Sequence, residues 1–545
     1  MAISNFQPFL LLVLFSFSVW SSTANPVDYE RNFIQCFSSH SVNSNSSVEV
    51  ILAKNRSSYQ SVLQASIKNP RFLNTSLPKP NLIVTPSYVY HIQAAILCSK
   101  KHSLQIRIRS GGHDYEGLSY VSNVPFIIID LVKLRSISID IKDESAWVES
   151  GATVGEFYYA IAKKSKIHGF PAGSCPTVGV GGHFSGGGFG TIFRRYGLAV
   201  DNIIDAHVVN VNGQILNRYL MGEDLFWAIK GGGGSSFGVI VSWKVKLVRV
   251  PPIVTVFDIS KTLEQGATKV FQKWQTIADK FDQNLFLHAV MGVSSPSKNS
   301  GNKTVVVEFT ALFLGAADNV MTLIQNNFKE LGLQRNNCRE MSWIQSVLYF
   351  ASYNINAPLE VLLDRNQTLQ SFKAKSDYVK VPIPETGLEG LWKLLVEEKS
   401  SLLIMTPYGG KMNEISESKT PFPHRRGSIY GIQYLVYWDS NEDSREAEKH
   451  INWMRRLYAY MEAYVSKSPR AAYLNYRDLD LGVNNADTSF AQAKIWGLKY
   501  FKHNFKRLVK VKSVVDPGNF FRNEQSIPLL PSHGRKGYKH VRRHE

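Results

Sequence analysis

Arg109-Ser110-Gly111-Gly112-His113-Asp114 and, further along, Cys175-Pro176-Thr177-Val178-Gly179-Val180-Gly181-Gly182-His183 each set a nucleophilic side chain beside glycine-rich backbone. Glycine lets backbone N–H groups approach phosphate oxygens, because no Cβ stands in the way and left-handed dihedrals cost little. Histidine and cysteine can each bond covalently to an electrophilic ring. Together the two stretches suggest a cofactor held at two points. Either one alone describes equally well a tight turn with an ordinary core histidine or a buried thiol, since short glycine motifs are weak signals.

The rest of the chain sets the surroundings. At 545 residues it exceeds what one hydrophobic core usually supports, so more than one lobe is expected. Met1 to Ala24 reads as a secretory signal: an apolar run from Phe9 to Val19, then small residues up to Ala24, with no Lys or Arg in the leading segment. That run is too short for a membrane anchor, and no other stretch reaches membrane length. The expected destination is the secretory pathway. There the triplets at Asn45, Asn55, Asn74, Asn302 and Asn366 become glycan acceptors. The pathway is oxidising, so Cys36 and Cys98, which lie away from the glycine motifs, are expected to pair. Cys175 is the reactive candidate and Cys338 an inert buried thiol.

The net charge of +18 raises the question of nucleic acid. Part of the excess sits in a basic tail, residues 532–545, and a secreted chain without a recognisable stacking motif argues against that partner. No cluster with metal-ligand spacing stands out, so no metal is expected.

Between Pro78 and Pro251, short apolar strands alternate with glycine loops. Val124–Asp130 reads as a buried strand and Ser145–Ser150 as an alternating one. Thr153 with Glu156 forms a capping box, and Asn212-Gly213 suggests a type I′ hairpin between His207 and Leu216. Beyond Pro251-Pro252 come alternating strands at Leu285–Val293, Thr304–Leu314, Leu402–Met405 and Ile429–Trp438. Amphipathic helices at Thr268–Phe281, Val320–Leu331, Leu388–Glu398 and Glu446–Tyr464 are interleaved with them, and a further helix is expected from Phe490 to Phe505. This pattern is α+β.

The two opening motifs, in this order, resemble those of the berberine bridge enzyme-like flavoproteins of plants. Ser185-Gly186-Gly187-Gly188-Phe189-Gly190, Met221 to Ala228, Tyr473-Leu474-Asn475-Tyr476-Arg477-Asp478 and Phe521 to Pro528 extend the likeness over nearly all of the chain after the leader. Within the family it is most similar to cannabinoid synthases and to enzymes of prenylated phenols, through Asn32 to Ser38 and Glu414 to Ser418.

The resemblance implies a vanillyl-alcohol-oxidase-type FAD-binding fold over 25–250, an α+β substrate lobe over 251–472, and a segment 473–531 returning to the first lobe. It implies FAD bonded to His113 and Cys175, and a monomeric oxidase acting on a hydrophobic small molecule with O2. The cofactor-lining set would be Arg109, Ser110, Gly111, Gly112, Asp114, Val178, Gly179, Gly181, Gly182, Ser185, Gly188, Gly190, Val239 and Asn519. Val178 matches the family's oxygen gatekeeper, and Tyr476 its catalytic tyrosine, whose phenol needs a lowered pKa to serve as a base.

Gly431 stands where monolignol-oxidising relatives carry lysine and cannabinoid-forming ones glutamate, Phe189 where the former have tyrosine, and Gln433 is retained. A roomier, more apolar pocket follows. The activity implied is dehydrogenation of a prenylated phenol to a diene or cyclised product. The alternatives are a non-redox Diels–Alder cyclase and a carbohydrate or monolignol oxidase.

Overall fold

The computed structural model describes residues 26–41, 49–73, 76–294, 303–366, 369–484 and 490–531. The leader, the basic tail and the acceptors Asn45, Asn74 and Asn302 lie outside the described residues. Asn55 and Asn366 lie within them and are exposed.

Phe126–Asp130 is buried at every position, as a strand covered on both faces must be. Full burial of each of its large apolar side chains contributes roughly 1.5–3 kcal/mol. It runs parallel to Leu82–Val84 on one side and Gln105–Arg109 on the other, with Ile51–Ala53 antiparallel at the far edge. Helices Pro26–His40 and Val89–Lys101 pack together beside this sheet and are joined by the Cys36–Cys98 disulfide.

A second sheet takes the order Ile137–Asp140, Ser145–Glu149, Val239–Lys246, Ile203–Val209, Ile215–Leu216, all antiparallel. Thr153 and Glu156 form the expected capping box on helix Val154–Lys164. The hairpin after Val209 is present, but its turn is not type I′. Gly213 alone takes a positive φ, and Asn210 Oδ1 accepts from the backbone of Asn212 and Gln214, so the side chain closes a longer loop.

The third sheet has seven antiparallel strands in the order Arg339–Met341, Val254–Thr262, Thr304–Phe313, Leu285–Ser294, Ser401–Pro407, Tyr430–Trp438, Ser371–Val379. Alternation sorts its faces. Tyr430, Ile432, Tyr434, Val436 and Trp438 join the core under helices Ala267–Ile277, Ala317–Asn327, Glu385–Glu397 and Ser444–Met461. The opposite positions Gln433, Leu435 and Tyr437 line a cavity.

The helix expected over Phe490–Phe505 is two, Phe490–Phe501 and Asn504–Val515, broken where Lys502 takes φ 46°. The chain folds back there because Gly497 lets the Phe505 ring lie directly over its backbone. A Cβ at that position would stand 2.3 Å from the ring. The structure is a mixed α+β fold.

Candidate active site

A cavity of about 710 Å³ lies between the two glycine motifs and the open face of the seven-stranded sheet. Arg109 ends a parallel strand opposite Asp130, and its guanidinium donates to Asp130 Oδ2 at 2.6 Å and to the carbonyls of Leu63 and Val62. The pair pins the loop that carries residues 110–114 beyond the carboxyl ends of the strands. Gly111 and Gly179 face each other so closely that a Cβ on either would stand 2.2–2.3 Å from the other's backbone. The two motifs therefore form one surface.

His113 Nε2 lies 2.9 Å from the Thr177 hydroxyl, and the Thr177 backbone makes a further hydrogen bond to the same ring. Enclosure, reinforced by Lys68, pushes the imidazole down to about 3, so it is neutral and keeps a lone pair. Cys175 is a free thiol whose Sγ lies 3.6 Å from the same hydroxyl. His183 accepts from the Gly173 N–H at 2.9 Å, a structural tie between the short helix Val180–Ser185 and the preceding loop.

Ser110, Gly111, Gly112, Asp114, Val178, Gly179, Gly181, Gly182, Ser185 and Gly190 line the cavity with His113 and Cys175, as do Phe189, Gln433 and Tyr476. Four of the expected lining residues do not. Arg109 is turned toward Asp130. Val239 is fully buried in the core beside the first sheet. Gly188 donates its N–H to the Tyr473 hydroxyl, and Asn519 sits in a positive-φ turn after the last helix.

Gly431 is also off the main wall. It borders a small adjoining space of about 10 Å³ beside Tyr378 and Tyr408, which shares Phe189, Thr406, Gln433, Tyr473 and Tyr476 with the large cavity, so its missing side chain leaves room next to the main wall rather than on it.

Tyr476 also differs from expectation. Burial and the neighbouring phenols of Tyr115 and Tyr473 push its pKa well above 10, and no cation or side-chain hydrogen bond among the described residues offsets them. The hydroxyl holds its proton.

Tyr115 was not foreseen. It stacks on Tyr476, with ring centroids 5.5 Å apart and planes 4° from parallel, and its hydroxyl accepts from Gln433 Nε2 at 2.6 Å. Its signal was its place immediately after the His113-Asp114 motif. Phe286, His288, Phe350, Phe372, Leu402, Ile404, Leu435 and Tyr437 complete the sheet side. Leu435 and Tyr437 were readable from Gln433 by alternation alone.

The site fits a large phosphate-bearing cofactor. No atom lies within 4 Å of where a Gly182 Cβ would stand, which leaves the backbone there open to the cavity. Arg107 and Ser150 on the same wall keep buried polar atoms without partners.

Comparison with known proteins agrees with this geometry. Residues 80–218 match the FAD binding domain family, and residues 472–528 match the family described as berberine and berberine like. A tetrahydroberberine oxidase of Berberis wilsoniae is 51% identical over 541 residues, 98% of this chain and 99% of that one. A monolignol oxidoreductase of Arabidopsis thaliana is 54% identical over 477 residues, 87% and 88% of the two chains. The solved structure of berberine bridge enzyme-like 28 from Arabidopsis thaliana superposes with a TM-score of 0.86 at 48% identity, covering 92% of this chain and all of that one. The chain belongs to the berberine bridge enzyme-like family of FAD-dependent oxidoreductases.

Proposed function

We propose that this chain is an oxidase of plant secondary metabolism that dehydrogenates a prenylated phenol at an allylic or benzylic carbon, with FAD bonded to both His113 and Cys175. Bound FAD supplies the hydride acceptor and passes its electrons to O2. The observation that carries the reading is the division of one cavity wall. Phe286, Phe350, Phe372, Leu402, Ile404 and Leu435 make an apolar floor, while Tyr115, Gln433 and Tyr476 gather polar atoms.

The Gln433 amide donates to the Tyr115 oxygen, which leaves the Tyr115 proton free to be donated to a phenolic oxygen. Tyr476, neutral at rest, acts as a relay: as the substrate phenol ionises, its hydroxyl oxygen accepts the phenolic proton while its own proton passes to solvent, rather than waiting as a phenolate. Neutral His113 and free Cys175 are the nucleophiles at the opposite wall, and Val178, which lines the same cavity, borders the route for O2. The Cys36–Cys98 disulfide and the exposed acceptors Asn55 and Asn366 support passage through the secretory pathway.

Anaerobic mixing with prenylated phenols tests the reaction. The expected result is bleaching of the flavin band on mixing and recovery on admitting air. Product formation with the band intact would replace the oxidase by a non-redox [4+2] cyclase, and bleaching by glucose or coniferyl alcohol alone would move the substrate to small alcohols.

A further inference from the structure

The stacked rings of Tyr115 and Tyr476 come from opposite ends of the chain, and their sequence neighbours are charged. Those charges pair across the two segments. Asp114 Oδ2 accepts from Arg477 Nε at 2.8 Å. On the other side Lys373 Nζ donates to both Glu116 Oε1 and Asp478 Oδ1, the latter at 2.8 Å. Lys373, Glu116 and Asp478 are 4%, 7% and 1% exposed, so this bridge is not a surface ornament.

Ser371–Val379, which carries Lys373, is the edge strand of the large sheet. Alternation sends Phe372 to the cavity side and Lys373 to the other. Tyr115 packs edge-on against Phe372, with centroids 5.1 Å apart, while the next residue, Glu116, reaches Lys373. The two segments therefore straddle the edge strand, with rings on one side and carboxylates on the other.

A single tether at Asp114 and Arg477 would let the segments slide or hinge about that pair. A second tether on the far side of the strand removes the freedom: Lys373 bridges the two carboxylates, and the Leu479 N–H adds a longer bond to Glu116 Oε1 at 3.4 Å. A buried cation costs desolvation that pairing at best offsets, and its best-attested use is to fix register. Lys375, two residues on, differs: it pairs with Asp478 at 2.6 Å and Asp480 at 2.7 Å, both on the same segment, and ties nothing across.

We propose that Lys373 is a positioning residue, whose bridge between Glu116 and Asp478 sets the register of Tyr115 against Tyr476 and so the placement of the substrate's phenol. This rests on Tyr476 being the residue that meets substrate. A misplacement on the order of 1 Å at a reacting group costs about 10²-fold in rate, so register is worth fixing.

The test compares flavin-loaded wild type, K373M, K373R and K375M by crystallography and by anaerobic flavin bleaching with coniferyl alcohol and with a prenylated phenol. K373M should tilt or separate the two rings and slow bleaching about tenfold or more, with the half-saturating concentration changed less than about threefold. K373R should recover most of the rate. K375M should lower thermal stability as K373M does while keeping ring geometry and rate.

Wild-type rings and rate in K373M would overturn the proposal, and so would a loss of rate in K375M that matches K373M. If K373M does not accumulate, E116L severs the same bridge while leaving Lys373 on Asp478, with the same expectations, and R71M, which removes only the other partner of Glu116, should keep wild-type rings and rate. Failure of both to accumulate assigns the bridge to folding and also overturns it. If neither phenol bleaches the wild type, the substrate reading fails, while the ring geometry of K373M still decides the role of Lys373.

Discussion

His113 and Cys175 meet at a single hydroxyl, that of Thr177, which lies 2.9 Å from His113 Nε2 and 3.6 Å from Cys175 Sγ. The two nucleophiles arrive on different loops, so one small side chain keys their spacing. The hydroxyl engages Nε2, and the Thr177 backbone adds a second hydrogen bond to the same ring.

If both nucleophiles hold the cofactor, flavin absorbance should stay with the protein after acid precipitation. H113A and C175A should each keep it through the remaining bond, with the linked peptide identified by mass. T177V should lower the doubly bonded fraction while leaving FAD bound. Colourless wild-type precipitate would rule out covalent attachment.

Y476F removes a proton relay without emptying the pocket, because the ring keeps its stack on Tyr115. The flavin content should not change, and the bleaching rate should fall about 10²- to 10⁴-fold. A wild-type rate in Y476F would take Tyr476 out of the chemistry.

Legibility in the sequence followed the physics of each segment. Phe126–Asp130 and the capping box at Thr153 declared themselves because composition and local hydrogen bonding decide them. Ser371–Val379 did not. It drew no reading, because its alternating charges Lys373, Lys375 and Asp377 are buried against Glu116, Asp478, Asp480 and Arg470, partners distant in sequence. The glycine motifs located the cavity wall, but not which of their neighbours face it. Arg109 turns to Asp130 and Gly431 toward Tyr378, and both orientations are set by packing across strands. Tyr115 escaped notice because a lone aromatic beside a motif carries no period.

Gly431 offers a direct check on the small adjoining space. A Cβ there would stand 3.4 Å from Tyr378 and 3.5 Å from Tyr408, ordinary contact distances. G431A should therefore fold and gain up to about 1 kcal/mol from reduced backbone freedom. G431L should lose about 1–3 kcal/mol by displacing Tyr378, whose ring stacks on His424 at 4.2 Å. Thermal midpoints read both. Because the main cavity does not include Gly431, G431A should shift substrate affinity less than about twofold; a larger shift would show that the two spaces are joined.

Acid should weaken the fold before any carboxylate cluster titrates. His183 and His288, enclosed in the cavity wall, are each pushed by burial from 6.5 down to about 4, and His424, stacked under Tyr378, moves the same way. The unfolded chain takes up these protons below about pH 6.5 and the folded chain does not until near pH 4. Stability is therefore complete above pH 6.5 and falls through that window, each of the first two imidazoles costing about 2 kcal/mol by pH 5. Asp377 acts oppositely: burial raises it to about 6 despite Arg470, so the folded chain binds its proton first and gains stability as pH falls below 6. Burial raises Asp258 and Glu308 as well, but both are only half enclosed, and the enclosed imidazoles outweigh the three carboxyls. The thermal midpoint should drop between pH 7 and pH 5, and H288F, whose ring fits between Phe286 and Phe350, should make the drop shallower. A midpoint constant over that range, or an equal slope in H288F, would show that these histidines are not held neutral by the fold.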